Sequence, residues 1–391
     1  MLSNHRDAWG YGSVDPSSAT AQLMEVVRSL GKLKKEGWRP RRTIIFASWA
    51  AEEYGLEGSY EWVYQHLTKV MHRTVGIVNT DICVSGPVVK PQSSPVLRDV
   101  VAESLKHASD PTSDKERSYY EFWEEWWNQD KKTGEARETP KIKHIGSGTD
   151  HAAFAFYAGV PAYNLRFKDD TKKHKGVGQY PTYHTGYETF YLVDGIIDPG
   201  FKIHRTCAQT SIHAVLNLAE SAILPYNLNH FPKEMKESLN EFDKTTTNVT
   251  QTLNDNDVTL EHLKTAVSDL ETAAKKYMKM LREKGPEMIR SDPLKLRMIN
   301  DQLMQMEKVF VMDGGLPSHQ EIRHAVFAPG KFNIYGGGGF PAISDLLYES
   351  DKLLKGSPEY KKRWKLIKRH VSDLMIMTQS AARYLKPYNL V

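Results

Sequence analysis

The stretch FASWAAEEYGLEGS, residues 46–59, sets two carboxylates, Glu52 and Glu53, directly behind an apolar run. Along a strand neighbouring side chains point to opposite faces, so adjacent acids serve one site only where a strand gives way to a loop. TIIFASW (43–49) reads as a buried strand, and the pair falls at its exit. There one carboxylate can ligate a cation while its neighbour handles a proton. A second apolar segment, VGIVNTD (75–81), also ends in an acid, Asp81. Two strands bringing acids to one edge is a metal-site pattern. Zinc catalysis draws on nitrogen as well as oxygen ligands, and two histidines stand out, His5 in NHRD and His184 in YPTYHTGYET. His5 is followed by Asp7, a natural partner for its imidazole, and further on by Asp15 in GSVDPSS.

The elements that must position these residues alternate. TAQLMEVVRSLGKLKKE (20–36) has apolar residues at helical spacing and feeds the strand at 43–49. A polar helix over 58–68, a strand over 75–81, a helix near DHAAFAFYAG (150–159) and a strand through VPAYNLRF (160–167) follow. This alternation predicts an α/β fold: a mostly parallel or mixed sheet between helices, with ligands gathering at the C-terminal strand ends. After about residue 220 the chain turns to long amphipathic helices over 258–284, 292–310 and 357–385. The division expected is 1–222 for the α/β domain and 223–391 for an all-α helical domain, with the boundary near Leu224-Pro225. FAPGKFNIYGGGGFP (327–341) reads as a Gly-rich loop between helices and lacks the GK[ST] ending of a phosphate loop. YYEFWEEWW (119–127) reads as a packed surface helix rather than a ligand platform.

Composition narrows the classes further. With 391 residues, 40% of them hydrophobic and 26% charged, the chain is that of a soluble globular protein. The 52 basic and 48 acidic residues leave a charge of +4, too slight and too evenly spread for a nucleic-acid partner. The two cysteines, Cys83 and Cys207, form neither a disulfide framework nor a metal knuckle and read as buried thiols. No apolar run is long enough to span a membrane, and the start, MLSNHRDAWGYGS, has no signal-peptide pattern. Asn248-Val249-Thr250 is a glycosylation sequon.

NHRDAW, DPSSATA, GWRPRRTIIFASWAAEEYGLEGS, GSGTD, YPTYHT, DPGF and LRMINDQLMQMEKVF, in this order, resemble the two-zinc exopeptidases, and within them the glutamate carboxypeptidase II branch, also called N-acetylated alpha-linked acidic dipeptidases. The resemblance implies two Zn²⁺ ions per chain. His5 and Asp81 would be terminal ligands of one, Glu53 and His184 of the other, and Asp15 would bridge them. It makes Glu52 the general base and Tyr183 the group that steadies the oxyanion, with a cis peptide after Asp15. Two zinc ions, three carboxylates and one bridging hydroxide balance in charge, and such a hydroxide is the nucleophile that the chemistry calls for. The family also implies a peptide substrate and a homodimer built through the helical domain.

The match departs from the branch where substrate is gripped. A lysine that precedes a tyrosine in the Gly-rich segment is here Ile334, before Tyr335; an arginine position is Asn164, leaving Arg166; and Thr149, after Gly148 in GSGTD, replaces an asparagine. These changes point toward aminopeptidase or dipeptidyl-peptidase paralogues as the alternative to an acidic carboxypeptidase. Of the two glutamates of a calcium site, only Glu61 matches, with Tyr64 at the other position, so calcium is doubtful. Relatives begin with a membrane helix, further strands and an apical insertion, so the chain reads as N-terminally truncated, from a membrane-anchored protein whose ectodomain faces outward. Transferrin receptors share the architecture without a working zinc site, and they supply the non-catalytic alternative.

Overall fold

In the computed structural model, which describes residues 1–113, 116–177, 179–242, 244, 249–348 and 350–386, the first four side chains of the sheet are already buried. Strand β1 (Leu2–His5) lies between β2 (Phe46–Trp49) and β3 (Ile77–Asn79), parallel to both. Beyond β3 come β6 (Ala162–Asn164), also parallel, and the antiparallel edge strand β5 (Gln92–Ser93), giving the order β2-β1-β3-β6-β5. A two-stranded ribbon of β4 (Val88–Val89) and β7 (Phe167–Lys168) extends past it. The mixed, mostly parallel sheet is the one expected, although the strands are shorter than the apolar runs.

Helix α1 (Ser17–Lys35) buries Ala19, Leu23, Val26 and Leu30, one stripe at three- and four-residue spacing, and ends in Lys32, Lys34 and Lys35, which favour its C-terminal dipole. It packs on β1 and β2 and beside α5 (Lys202–Glu220). On α2 (Glu57–Arg73), Trp62 meets Trp49 and Phe154 in an aromatic cluster, with ring centroids 5.6 and 5.8 Å away. The helix expected at 150–159 is a short turn, with the wide π form over Ala153–Tyr157. Helices α3 (Arg98–Lys106) and α4 (Tyr119–Asn128) complete this half. The aromatic run is the packed helix anticipated: Tyr119, Trp123 and Trp126 are buried, and Ser118 closes a capping box with Glu121. The cysteines correct the sequence reading. Cys83 and Cys207 form a disulfide, with S–S 2.05 Å and Cα–Cα 6.3 Å, and a separation of 124 residues left no spacing pattern to reveal it.

The remaining helices are α6 (His230–Phe242), α7 (Val249–Asn254), α8 (Glu261–Ser291), α9 (Pro293–Gln305), α10 (Pro341–Leu347) and α11 (Pro358–Tyr384). Leu263, Val267, Leu270, Ala274, Tyr277 and Leu281 of α8 form one buried stripe, as do Trp364, Ile367, Val371, Leu374 and Ala381 of α11, and the two helices pack together. The segment read as a Gly-rich loop is a hairpin, β8 (Phe327–Gly330) and β9 (Asn333–Gly339). Its glycines answer a packing demand: a Cβ on Gly337 would stand 2.0 Å from the Ile145 carbonyl oxygen, and one on Gly146 2.1 Å from that of Tyr335. Only bare backbone lets β9 lie flush on residues 145–148. Asn248, the sequon asparagine, lies outside the described residues.

A buried ion pair ties the halves. Arg98 of α3 forks onto Glu234 of α6 at 2.9 and 2.7 Å and donates to the Lys143 carbonyl at 2.7 Å. Replacing one partner strands the other charge, so Arg98→Met is expected to lower stability by about 3–5 kcal/mol in chemical denaturation, with partial recovery in Arg98→Met/Glu234→Leu. His370 in α11 is 1% exposed and neither ring nitrogen has a partner. Burial lowers it from 6.5 to about 4. The unfolded chain binds that proton below about pH 6.5 while the folded chain resists it, so stability is unaffected above this window and falls within it as pH drops. Relative to His370→Phe, the parent chain should lose about 2 kcal/mol between pH 7 and 5.

Candidate metal centre

Three strands leave the sheet at one level, and each hands over a ligand type. His5 ends β1 and pairs in register with Trp49 at the end of β2. After Trp49 the chain turns through Ala51, at φ 56°, into Glu52 and Glu53. After β3, Asp81 follows Thr80 at the same edge. Asp7 locks two of these exits together. Its carbonyl lies 3.0 Å from His5 Nδ1, while its carboxylate accepts from the Glu52 and Glu53 N–H groups, each at 3.1 Å. The sequence suggested Asp7 as a partner of the imidazole; its carboxylate lies 3.6 Å from His5 Nδ1 and also holds the Glu-Glu turn.

Two clusters form around one shared acid: His5, Asp15 and Asp81, then Asp15, Glu53 and His184, each with one ligand atom per residue within 4.8 Å of the others. His5 Nε2 stands 2.8 Å from Asp81 Oδ1 and 3.2 Å from Asp15 Oδ1. His184 Nε2 stands 3.2 Å from both Asp15 Oδ2 and Glu53 Oε2. Each imidazole nitrogen thus faces two carboxylates, whereas a single N–H can donate well to one. Glu53 Oε1 is buried without a hydrogen-bond partner, and Asp15 Oδ1, also buried, has only the shared His5 nitrogen beside it, outside good hydrogen-bond geometry. Orphaned acid oxygens and doubly claimed imidazoles are what a pair of cations would satisfy, and the nitrogen and oxygen donors suit zinc. Pro16 follows the shared acid through a cis peptide bond, as the resemblance implied.

Electrostatics carry the same message. Burial, then the charge of Asp81, pushes Glu52 up to about 9, and burial with Asp15 pushes Glu53 up to about 7. Burial opposes a charge on His5, yet Asp15 and Asp81 outweigh it and push it up to about 12. Burial would raise Asp81, but the His5 hydrogen bond outweighs it and holds the acid below its ordinary range. Tyr183 stacks on His184 with centroids 3.7 Å apart, and burial beside Asp15 raises its hydroxyl, keeping it an O–H donor.

The residues expected to bind substrate divide. Tyr335 is 76% exposed on β9, and its ring stands 3.1 Å from where a Gly148 Cβ would sit. Arg166 lies within electrostatic reach of Asp81 and Tyr183. Thr149 is buried and accepts from Asn79 Nδ2 at 3.0 Å, and Asn164 is buried and donates to Gln92 Oε1 at 3.2 Å. Glu61 and Tyr64 lie on α2, and neither of the two metal-binding clusters among the described residues includes Glu61. Sequence reasoning missed two buried acids, Asp150, raised by burial to about 7, and Glu188. Asp150 closes the GSGTD motif and Glu188 follows His184 by four residues, so proximity to named motifs was the available signal.

Residues 1–195 match the model of Peptidase family M28, and residues 258–386 match the Transferrin receptor-like dimerisation domain. The chain is 35% identical to a mouse protein named aminopeptidase NAALADL1, over 99% of this chain and 50% of that one. It is 34% identical to the probable glutamate carboxypeptidase LAMP1 of Arabidopsis thaliana, over 90% and 47% of the two chains, and 32% identical to the glutamate carboxypeptidase 2 homolog of Caenorhabditis elegans, over 92% and 47%. It spans about half the length of these relatives. The chain belongs to peptidase family M28, with a transferrin receptor-like dimerisation domain following its peptidase domain.

Proposed function

We propose that this chain carries the catalytic centre of a zinc-dependent exopeptidase that hydrolyses a terminal peptide bond. The observation that carries the reading is Asp15, whose two oxygens are divided between His5 and His184. His5 and Asp81 would hold one zinc, Glu53 and His184 the other, and Asp15 both. The ions supply Lewis acidity and a water molecule of lowered pKa. Glu52, beside both ligand clusters but in neither, takes the proton of the attacking water and returns it to the leaving amine. Tyr183 donates its hydroxyl hydrogen to the oxygen that gains charge as the carbonyl becomes tetrahedral. Arg166 and Tyr335 border the space that the peptide enters.

A second reading concerns which end of the peptide is attacked. Ile334, 53% exposed on β9, stands where the resemblance would place a lysine for a C-terminal carboxylate. An apolar side chain there favours an aminopeptidase or dipeptidyl-peptidase over a glutamate carboxypeptidase. The intact ligand set speaks against a receptor-like, non-catalytic role. The dimerisation domain supports a homodimer, and the disulfide supports an oxidising compartment such as the cell exterior. Among the described residues no helix is long and apolar enough to cross a membrane.

Metal analysis by mass spectrometry is expected to give two zinc ions per chain, and a folded sample that binds none would end the catalytic reading. Glu52→Gln should keep both ions while kcat for a peptide substrate drops by about 10²–10⁴, the range of a positioned general base; unchanged hydrolysis would remove Glu52 from that role. Profiling a peptide library identifies the end attacked. Release of N-terminal residues, blocked by N-acetylation, supports the aminopeptidase reading, and release of C-terminal glutamate defeats it.

A further inference from the structure

Two of the metal centre's ligands arrive on segments that the sheet does not hold. Asp15 stands in the loop between β1 and α1, and His184 in a turn between β7 and α5, 169 residues later. His184 also has φ 59°, a left-handed backbone that a non-glycine residue keeps only when its surroundings hold it there. One side chain spans both segments. Glu188 is completely buried. Its Oε1 accepts from the N–H groups of Val14 at 3.2 Å and Asp15 at 2.5 Å, and its Oε2 accepts from the His184 N–H at 3.2 Å. The backbone reinforces the link, since Ser13 N–H donates to the Glu188 carbonyl at 3.1 Å and Glu188 N–H donates to that of Thr185 at 3.2 Å.

We propose that Glu188 is the positioning residue of the metal centre: its carboxylate clamps the Asp15 loop to the His184 turn and thereby sets the distance between the shared acid and the second imidazole. The proposal rests on the metal-centre reading above and deepens it. Three backbone donors converging from two segments need an acceptor at both ends. A carboxylate is one; a carboxamide offers oxygen to one segment and turns an NH₂ toward the donors of the other. Because Tyr183 precedes His184 and stacks on it, the clamp also places the hydroxyl assigned to the oxyanion. Asp15 keeps its place at the head of α1 through further contacts, since Ser17 N–H donates to Gly12 and Ser18 Oγ to the Val14 carbonyl, so the His184 side depends on the clamp more heavily.

Two substitutions separate reach from charge. Glu188→Gln keeps the size and loses one acceptor, while Glu188→Asp keeps charge and both acceptors but is one methylene too short to serve both segments. Zinc is titrated into the metal-free chain by calorimetry, with His5→Ala and His184→Ala marking which site is which. The wild-type chain should bind two ions. In Glu188→Gln the His184 site should weaken by about 100-fold and the His5 site by less than about tenfold; in Glu188→Asp the His184 site alone should weaken, by about tenfold. With both sites filled at high zinc, kcat should fall in both variants while KM holds. The proposal is overturned if Glu188→Gln binds both ions as the wild type does, if both sites weaken equally, or if Glu188→Asp matches wild type, which would leave charge rather than reach. If neither variant folds, Glu188 is a determinant of the fold and its assignment to the metal centre is overturned too. A wild-type chain that binds no zinc defeats the metal-centre reading itself, a result distinct from two ions bound alike by wild type and variants.

Discussion

The constraint on which the site depends is the crowding of Asp15, Glu52, Glu53, Asp81 and Asp150 into one largely buried space. At an effective dielectric constant of about 20, two like charges about 4 Å apart repel by roughly 4 kcal/mol. In a chain without metal, burial first and the neighbouring acids second favour the protonated form and raise Glu52, Glu53 and Asp150. A divalent pair would remove the conflict differently, by letting the ligand acids ionise together, with Glu52 outside both clusters. The two adjacent glutamates differ in their surroundings: Glu53 faces His184, and Glu52 has Asp81, His5 and Asp150 as neighbours.

What holds the acids in place is backbone order rather than side-chain packing at the site. β1 is paired on both edges, so the exits of β2, β1 and β3 cannot slide relative to one another without breaking both ladders. Asp7 then fixes the Glu-Glu turn against β1 through two amide hydrogen bonds. The second half of the chain contributes at a different place. Its hairpin lies on residues 145–148, and Ser147 N–H donates to the Ile334 carbonyl at 3.1 Å, so the floor beside the metal centre and the exposed Tyr335 come from different domains. The Arg98–Glu234 pair secures that junction.

Legibility followed the range of the interactions. Apolar runs and helical stripes are local, and they led to the parallel sheet, to α1, α8 and α11, and to the strand exits that carry the acids. Motif order nominated His5, Asp15, Glu53, Asp81 and His184 together, and the fold gathers them into two clusters that share Asp15. Contacts between distant backbones left no such trace. The Cys83–Cys207 bond joins residues 124 apart; the glycines of β9 reflect a neighbour's carbonyl rather than a loop; and the inward turn of Thr149 toward Asn79 follows from tertiary contacts that residue type does not announce.

The candidate metal ligands and the exposed residues of the hairpin therefore sit on parts of the fold with different freedom to change. Every metal-ligand candidate hangs from the sheet or from a segment fastened to it by buried hydrogen bonds, so substitution there disturbs several partners at once. Ile334 and Tyr335 project from a hairpin whose requirement is bare backbone at Gly337, and their own side chains are more than half exposed. A change of side chain at 334 therefore leaves the hairpin's seat on residues 145–148 intact and alters only the exposed surface. A fold arranged this way would let one hydrolytic chemistry persist while the end of the peptide it accepts changes.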